Sequence, residues 1–174
     1  NNIFPTNIFY LAYHNRYDDK FILKSLASTL SQFSGIINKS FNKKQQIESI
    51  NKRNKIRLGI CSEFLRKHTI GNFYENLIKD FSKAGLEIII FRPSCSKIDD
   101  ISRRIDSFVL ESIVLPNELQ SGCEVIISKS IDILFYPDIG MSNYTYLLSL
   151  SRLALVQLTS FGHPNTSGSP NIDY

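Results

Sequence analysis

The run Ile131-Asp132-Ile133-Leu134-Phe135-Tyr136-Pro137-Asp138-Ile139-Gly140 decides the fold class. Its first six residues are almost all β-branched, aliphatic or aromatic, and a short apolar run of this kind is a strand buried on both faces. Working outward, residues 117–130 precede it as a helix opened by a capping Asn, and residues 112–115 before that as a short strand. Leu86-Glu87-Ile88-Ile89-Ile90-Phe91 is a further strand, ended by Pro93, and residues 99–107 read as helical. Ile56-Arg57-Leu58-Gly59-Ile60-Cys61 is the first strand. The amphipathic helix after it spans 72–84, with Phe73, Leu77, Ile78 and Phe81 on one face and Gly85 as its stop. Beyond the opening run come a helix over 144–152 and a last strand over 153–159. Strands alternating with helices of this length predict an α/β, Rossmann-like parallel sheet with helices on both faces.

The first third differs. Residues 20–33 predict a helix with Phe21, Leu23, Leu26, Leu30 and Phe33 as its apolar positions, and 38–54 reads as a polar linker with room for one helical turn at 45–50. The expected division is a helical lead-in and basic linker over 1–54, then the α/β domain over 55–174. Phe4, Ile8, Phe9, Tyr10 and Leu11 are too apolar for a free tail. Residues 1–55 carry 9 Lys and Arg against 3 Asp and Glu, whereas the rest carry 11 against 13. This excess is either a phosphate or nucleic-acid patch or a linker kept soluble by charge. No aromatic residue lies between Lys43 and Lys55 to stack on bases, so no nucleic-acid partner is expected.

Composition excludes several classes. With 43% hydrophobic and 21% charged residues in 174, the chain can bury a core and is neither disordered nor collagen-like. No apolar stretch is long enough to span a bilayer and no signal-peptide pattern opens the chain, so no membrane partner is expected. Cys61, Cys95 and Cys123 form no CxxC pair, which argues against a zinc site or disulfide framework and for thiols in a reducing cytoplasm. The chain begins at Asn1 rather than Met and stops at Tyr174 after a run of turn residues, so a fragment of a larger protein is expected.

Ligands of open parallel sheets gather at the carboxyl ends of strands, and three segments stand there. In Cys61-Ser62-Glu63-Phe64-Leu65-Arg66-Lys67-His68-Thr69-Ile70-Gly71, His68 is a general base, a holder of an acceptor hydroxyl, or a plain surface residue. After Tyr136-Pro137, Asp138 either orients a sugar hydroxyl or a histidine, or caps the next turn. The segment Phe161-Gly162-His163-Pro164-Asn165-Thr166-Ser167-Gly168-Ser169-Pro170 lacks the Lys of a Walker loop and the spacing of a dinucleotide loop; it suits a polar, uncharged ligand such as a sugar. His14 beside an apolar run reads on its own as a partly buried structural residue, and no two histidines stand at metal-ligand spacing.

At these same segments the sequence resembles the O-GlcNAc transferase/SPINDLY-like glycosyltransferases, particularly bacterial members. The matching stretches are 62–71, Ile133 to Met141, Ser151-Arg152-Leu153-Ala154 with Val156-Gln157, Gly162-His163-Pro164 with Thr166-Ser167-Gly168, and Ile172-Asp173-Tyr174. Phe9-Tyr10-Leu11-Ala12-Tyr13-His14 resembles the family's opening helical segment. The resemblance implies the N-terminal lobe of a GT-B enzyme. Such an enzyme moves a sugar from a UDP-sugar, GlcNAc or hexose, to protein side chains with inversion and without metal or other cofactor. Its partners would be an acceptor protein or peptide and, mainly through a C-terminal lobe, the UDP-sugar. By position, His14, His68 and Glu63 match candidate catalytic residues. Thr69, Asp138, Gly162, His163, Pro164 and Thr166 fall on segments lining the donor-sugar and acceptor end. Four departures stand out: Thr69 replaces the Pro of animal enzymes, Glu63 an Asp spaced one residue closer, Lys67 a common Asn and Ser160 a usual Trp.

Overall fold

Five short apolar runs form strands because their residues can be buried on both sides. They are β1 (Arg57–Cys61), β2 (Glu87–Pro93), β3 (Glu111–Leu115), β4 (Ile133–Tyr136) and β5 (Val156–Thr159), hydrogen-bonded in the order β3-β2-β1-β4-β5. Every pairing is parallel, with Gly59 opposite Ile89 on one side and Leu134 on the other. The computed structural model describes Phe9, residues 18–33 and residues 42–174. The expected packing of Phe4, Ile8, Tyr10 and Leu11, and His14, lie outside the described residues.

Alternation along the strands sorts the side chains into two layers. Leu58, Ile60, Ile88 and Ile90 face α3 (Thr69–Lys83) and α4 (Asp100–Asp106), which contribute Ile70, Tyr74, Ile78, Ile101 and Ile105. Cys61, Ile89, Phe91, Leu134 and Tyr136 face the other way, towards α5 (Leu119–Ser128), α6 (Asn143–Ser149) and α1 (Asp19–Phe33), whose Leu23 and Ala27 are fully buried. The Rossmann-like sheet with helices on both faces is therefore present, and α1 belongs to its core.

Four local readings change. The helix after β1 starts at Thr69, not 72, and buries Ile70, Gly71, Tyr74 and Ile78, while Phe73 and Leu77 are exposed. The buried stripe is rotated because Tyr74 can be covered once its hydroxyl donates to Ser160 Oγ at 2.6 Å. The polar stretch read as linker contains a nine-residue helix, α2 (Lys43–Asn51). At its end Arg53 is not a solvated charge: Nη2 bonds Asp132 Oδ1 at 2.8 Å and the Ser130 carbonyl at 2.9 Å, beside the start of β4. Asn117 does not cap α5; its side-chain oxygen accepts from the Ser94 hydroxyl, and Glu118 takes the cap position without a side-chain bond.

Beyond β5 the chain folds back along it. Asp173 N–H donates to the Gln157 carbonyl and Thr159 N–H to that of Tyr174, both at 2.8 Å, and the Asp173 carboxylate receives Arg152 and Gln157 N–H. On the opposite side, no described strand pairs with the outer edge of β3, where Leu110 and Val114 are exposed.

Candidate ligand cleft at the switch point of the sheet

β1 and β4 are neighbours, yet α3 leaves β1 for one face and α6 leaves β4 for the other. Where connections diverge in this way, a crevice opens at the strand ends. A cleft of about 330 Å³ lies there. His68, Thr69, Ile70, Phe73 and Tyr74 of the first turns of α3 form one wall; Met141, past β4, and Phe161 and Gly162, past β5, complete it. None of these side chains is an acid, Lys or Arg. Phe73 and Phe161 meet edge to face, ring centres 5.5 Å apart, and both are more than half exposed.

The loop carrying His68 is held by several short contacts. Arg66 N–H bonds the Phe64 carbonyl at 2.7 Å and His68 N–H bonds that of Arg66 at 2.6 Å, so the chain folds tightly over the start of α3. Gly71 makes this possible, since a Cβ there would overlap the Arg66 carbonyl oxygen. The Asp99 carboxylate takes Lys67 N–H at 2.7 Å as well as Ser102 N–H at 3.0 Å in the capping box of α4. Burial opposes ionisation of Asp99, but these N–H groups prevail and hold its carboxyl below the usual value. Asp99→Ala is expected to cost about 1–2 kcal/mol in a urea titration, since it removes a helix cap and a loop anchor together.

His68 is the N-cap of α3, with Nδ1 accepting Ile70 N–H at 3.2 Å. In the neutral ring one nitrogen accepts and the other bears the proton, so Nε2 carries N–H. Burial, and then the Arg66 charge, lower its pKa and keep the ring neutral. The capping histidine is thus a hydrogen-bond donor through Nε2; to act as a base it must first give up the cap. Of the roles open from sequence, this geometry favours holding an acceptor oxygen.

Asp138 sits directly behind the cleft, completely buried. Oδ2 accepts the Ser62 hydroxyl at 2.7 Å, and Oδ1 has no hydrogen-bond partner among the described residues. Burial raises its carboxyl to about 7, the Ser62 bond pulls it down and the nearby Glu63 charge pushes it up. Glu63 is partly exposed and hydrogen-bonded to Cys95, whose thiol is raised first by burial and then by the Glu63 charge.

The structure therefore brings His68, Thr69 and Gly162 together in the cleft wall, with Asp138 behind, while Glu63 bonds Cys95 and is not part of the lining. Gly162 lies against β4's exit: a Cβ there would overlap the Pro137 carbonyl oxygen and stand 3.0 Å from Asp138 Cα. His163 turns away and packs edge to face on Phe9, ring centres 5.5 Å apart, while Nδ1 accepts Asn165 N–H. Pro164 and Thr166 are exposed and outside the cleft walls, and Asn165 Nδ2 bonds the Phe9 carbonyl at 2.7 Å. Much of this loop therefore clasps the lead-in rather than facing the cleft. Residues the sequence did not single out as site-forming are Ser62, Gly71, Phe73, Tyr74 and Asp99. The exposed pair Phe73 and Phe161 was the available signal, hidden by assigning Phe73 to the core. Among the described residues no group of three or more His, Cys, Asp or Glu could hold a metal ion, and no helix is long and apolar enough to cross a membrane.

No protein-family model matches the chain, and no curated protein matches its sequence. Among solved structures, a mutant of the O-GlcNAc transferase of Thermobaculum terrenum aligns with a TM-score of 0.74 and 20% identity over 97% of this chain. The chain shares that transferase's fold. It spans 32% of the transferase chain, so the likeness concerns one portion of a longer molecule.

Proposed function

We propose that this chain is the N-terminal, acceptor-side lobe of an inverting, metal-independent glycosyltransferase that moves a sugar from a UDP-sugar to protein side chains. One observation carries the reading. Three segments far apart in sequence that resemble the transferase family, 62–71, 133–141 and 162–164, each contribute to one cleft at the switch point, the last through Gly162, in a fold shared with a bacterial O-GlcNAc transferase.

The chemistry is consistent with half of such a site. Inverting transfer needs an acceptor held on one face of the sugar and a diphosphate stabilised on the other. His68 Nε2–H and the Thr69 hydroxyl are suited to the first task. A lining whose described residues include no Lys or Arg is unsuited to the second, which falls to the C-terminal lobe. The partners are then an acceptor protein or peptide and a UDP-sugar, and the site of action is the cytoplasm, in keeping with cysteines that form no disulfide.

The test uses the full-length gene product with UDP-GlcNAc or a UDP-hexose and a co-expressed acceptor, read by mass spectrometry. Sugar on acceptor side chains is expected. In that enzyme His68→Asn keeps an oxygen for the α3 cap but loses the imidazole N–H, and turnover should fall about 100-fold with little change in melting temperature. An unchanged rate removes His68 from the mechanism. Binding of a ligand without any transfer would instead favour a non-catalytic α/β binding module.

A further inference from the structure

We propose that Asp138 is a positioning residue for the cleft: by accepting the Ser62 hydroxyl it fixes the 62–68 loop and, with it, the direction of His68 Nε2–H. The connection is continuous. Ser62 Oγ donates to Asp138 Oδ2 at 2.7 Å and accepts Phe64 N–H at 2.9 Å, and the Phe64 ring lies 4.8 Å from the His68 ring. The other two walls meet Asp138 as well. Met141 N–H bonds its carbonyl at 3.1 Å, and Gly162 lies against its Cα. One residue thus touches all three loops that form the cleft.

A bracket alone would not need a carboxyl. Asp138 is fully buried with one oxygen unpartnered among the described residues, an arrangement that costs stability and that an amide or hydroxyl acceptor would lessen. Among the described residues, the groups near it are Cys61 at the end of β1, Glu63 in the loop after it and Tyr74 from α3, with His163, of the loop after β5, packed against Gly140. With no cation among them, the carboxyl changes charge near neutrality rather than staying ionised. An ionised acceptor holds a hydroxyl more tightly than a neutral one. The loop is therefore firmest above neutral pH and slackens as the proton is taken up. This deepens the glycosyltransferase reading and rests on it only for the consequence to an acceptor; the coupling itself is a property of the chain.

The experiment is an NMR titration of the 174-residue chain, following the His68 imidazole, the Phe64 and Ile70 amides and the Asp138 carboxyl carbon. In the wild type, His68 should report two inflections, its own below the usual imidazole value and a second matching the Asp138 carboxyl. Asp138→Asn retains an oxygen for Ser62, so the loop amides should keep their positions while the second inflection is lost. In Ser62→Ala the Asp138 carboxyl should still titrate, but His68 should no longer follow it. Identical His68 curves in wild type and Asp138→Asn would overturn the proposal, as would a His68 that still follows the carboxyl without Ser62. Should Ser62→Ala not fold, the wild type and Asp138→Asn decide the matter between them. No sugar transfer enters the measurement, so a chain that shows the coupling within an enzyme that transfers nothing would sink the glycosyltransferase reading alone.

Discussion

Gly71→Ala is expected to destabilise the protein by about 2–4 kcal/mol, with the α3 cap lost in the same step. The added Cβ would overlap the Arg66 carbonyl oxygen and stand 2.6 Å from its nitrogen. These are backbone atoms, each fixed by a bond of its own to Phe64 or His68. Nor can the loop swing aside cheaply, because Leu65 beside Arg66 is buried in the core. Alanine's better helix propensity returns only about 1 kcal/mol. Urea denaturation gives the loss, and a change of under about 1 kcal/mol would show that the loop yields more readily than its contacts imply.

The second large effect is a pH-dependent one. Asp138 has a carboxyl near 7 in the folded chain against 3.8 when free. The folded state therefore keeps this proton to higher pH than the unfolded state, and the contribution to stability is full in acid and declines as pH rises towards 7. Asp138→Asn removes the titration. Its stability relative to wild type should rise by roughly 2–3 kcal/mol between about pH 5 and pH 8, read from paired denaturation curves. A gap that stays constant across that range would mean that the carboxyl is not held protonated by burial. The histidines act in the opposite sense. Burial lowers the pKa of both His68 and His163, so each contributes stability that is lost as pH falls through the folded value. The wild type should accordingly be weakened on both sides of mild acidity, and Asp138→Asn on the acid side only.

The strands were legible in sequence because buried parallel strands are almost continuous runs of Ile, Leu, Val and Phe, and a six-residue run leaves little choice of conformation. The candidate site was legible as three strand-end loops, since topology alone places those loops together. What was not legible has physical causes. α2 is mostly polar, with only Ile47 and Ile50 apolar, and Arg53 finds Asp132 only after the sheet has formed. The stripe of α3 was misplaced because Phe73 outranks Tyr74 on any hydrophobicity scale, whereas the helix turns Tyr74 inward and leaves Phe73 on the rim of the cleft. A histidine is an uncommon helix cap, so His68 invited a reading through its acid–base chemistry alone. The partner of Asp138 is Ser62, 76 residues away, and nothing local announces it.

The two margins of the sheet differ in what they offer to another polypeptide. Along β5, Thr159 N–H and the Gln157 carbonyl are already taken by Tyr174 and Asp173. Along the outer edge of β3 no described strand pairs, and Leu110 and Val114 stand exposed beside it. An unpaired strand edge is a template for chain-to-chain pairing. Self-association of this protein should therefore begin at β3, and Val114→Lys, outside the cleft lining, should suppress it.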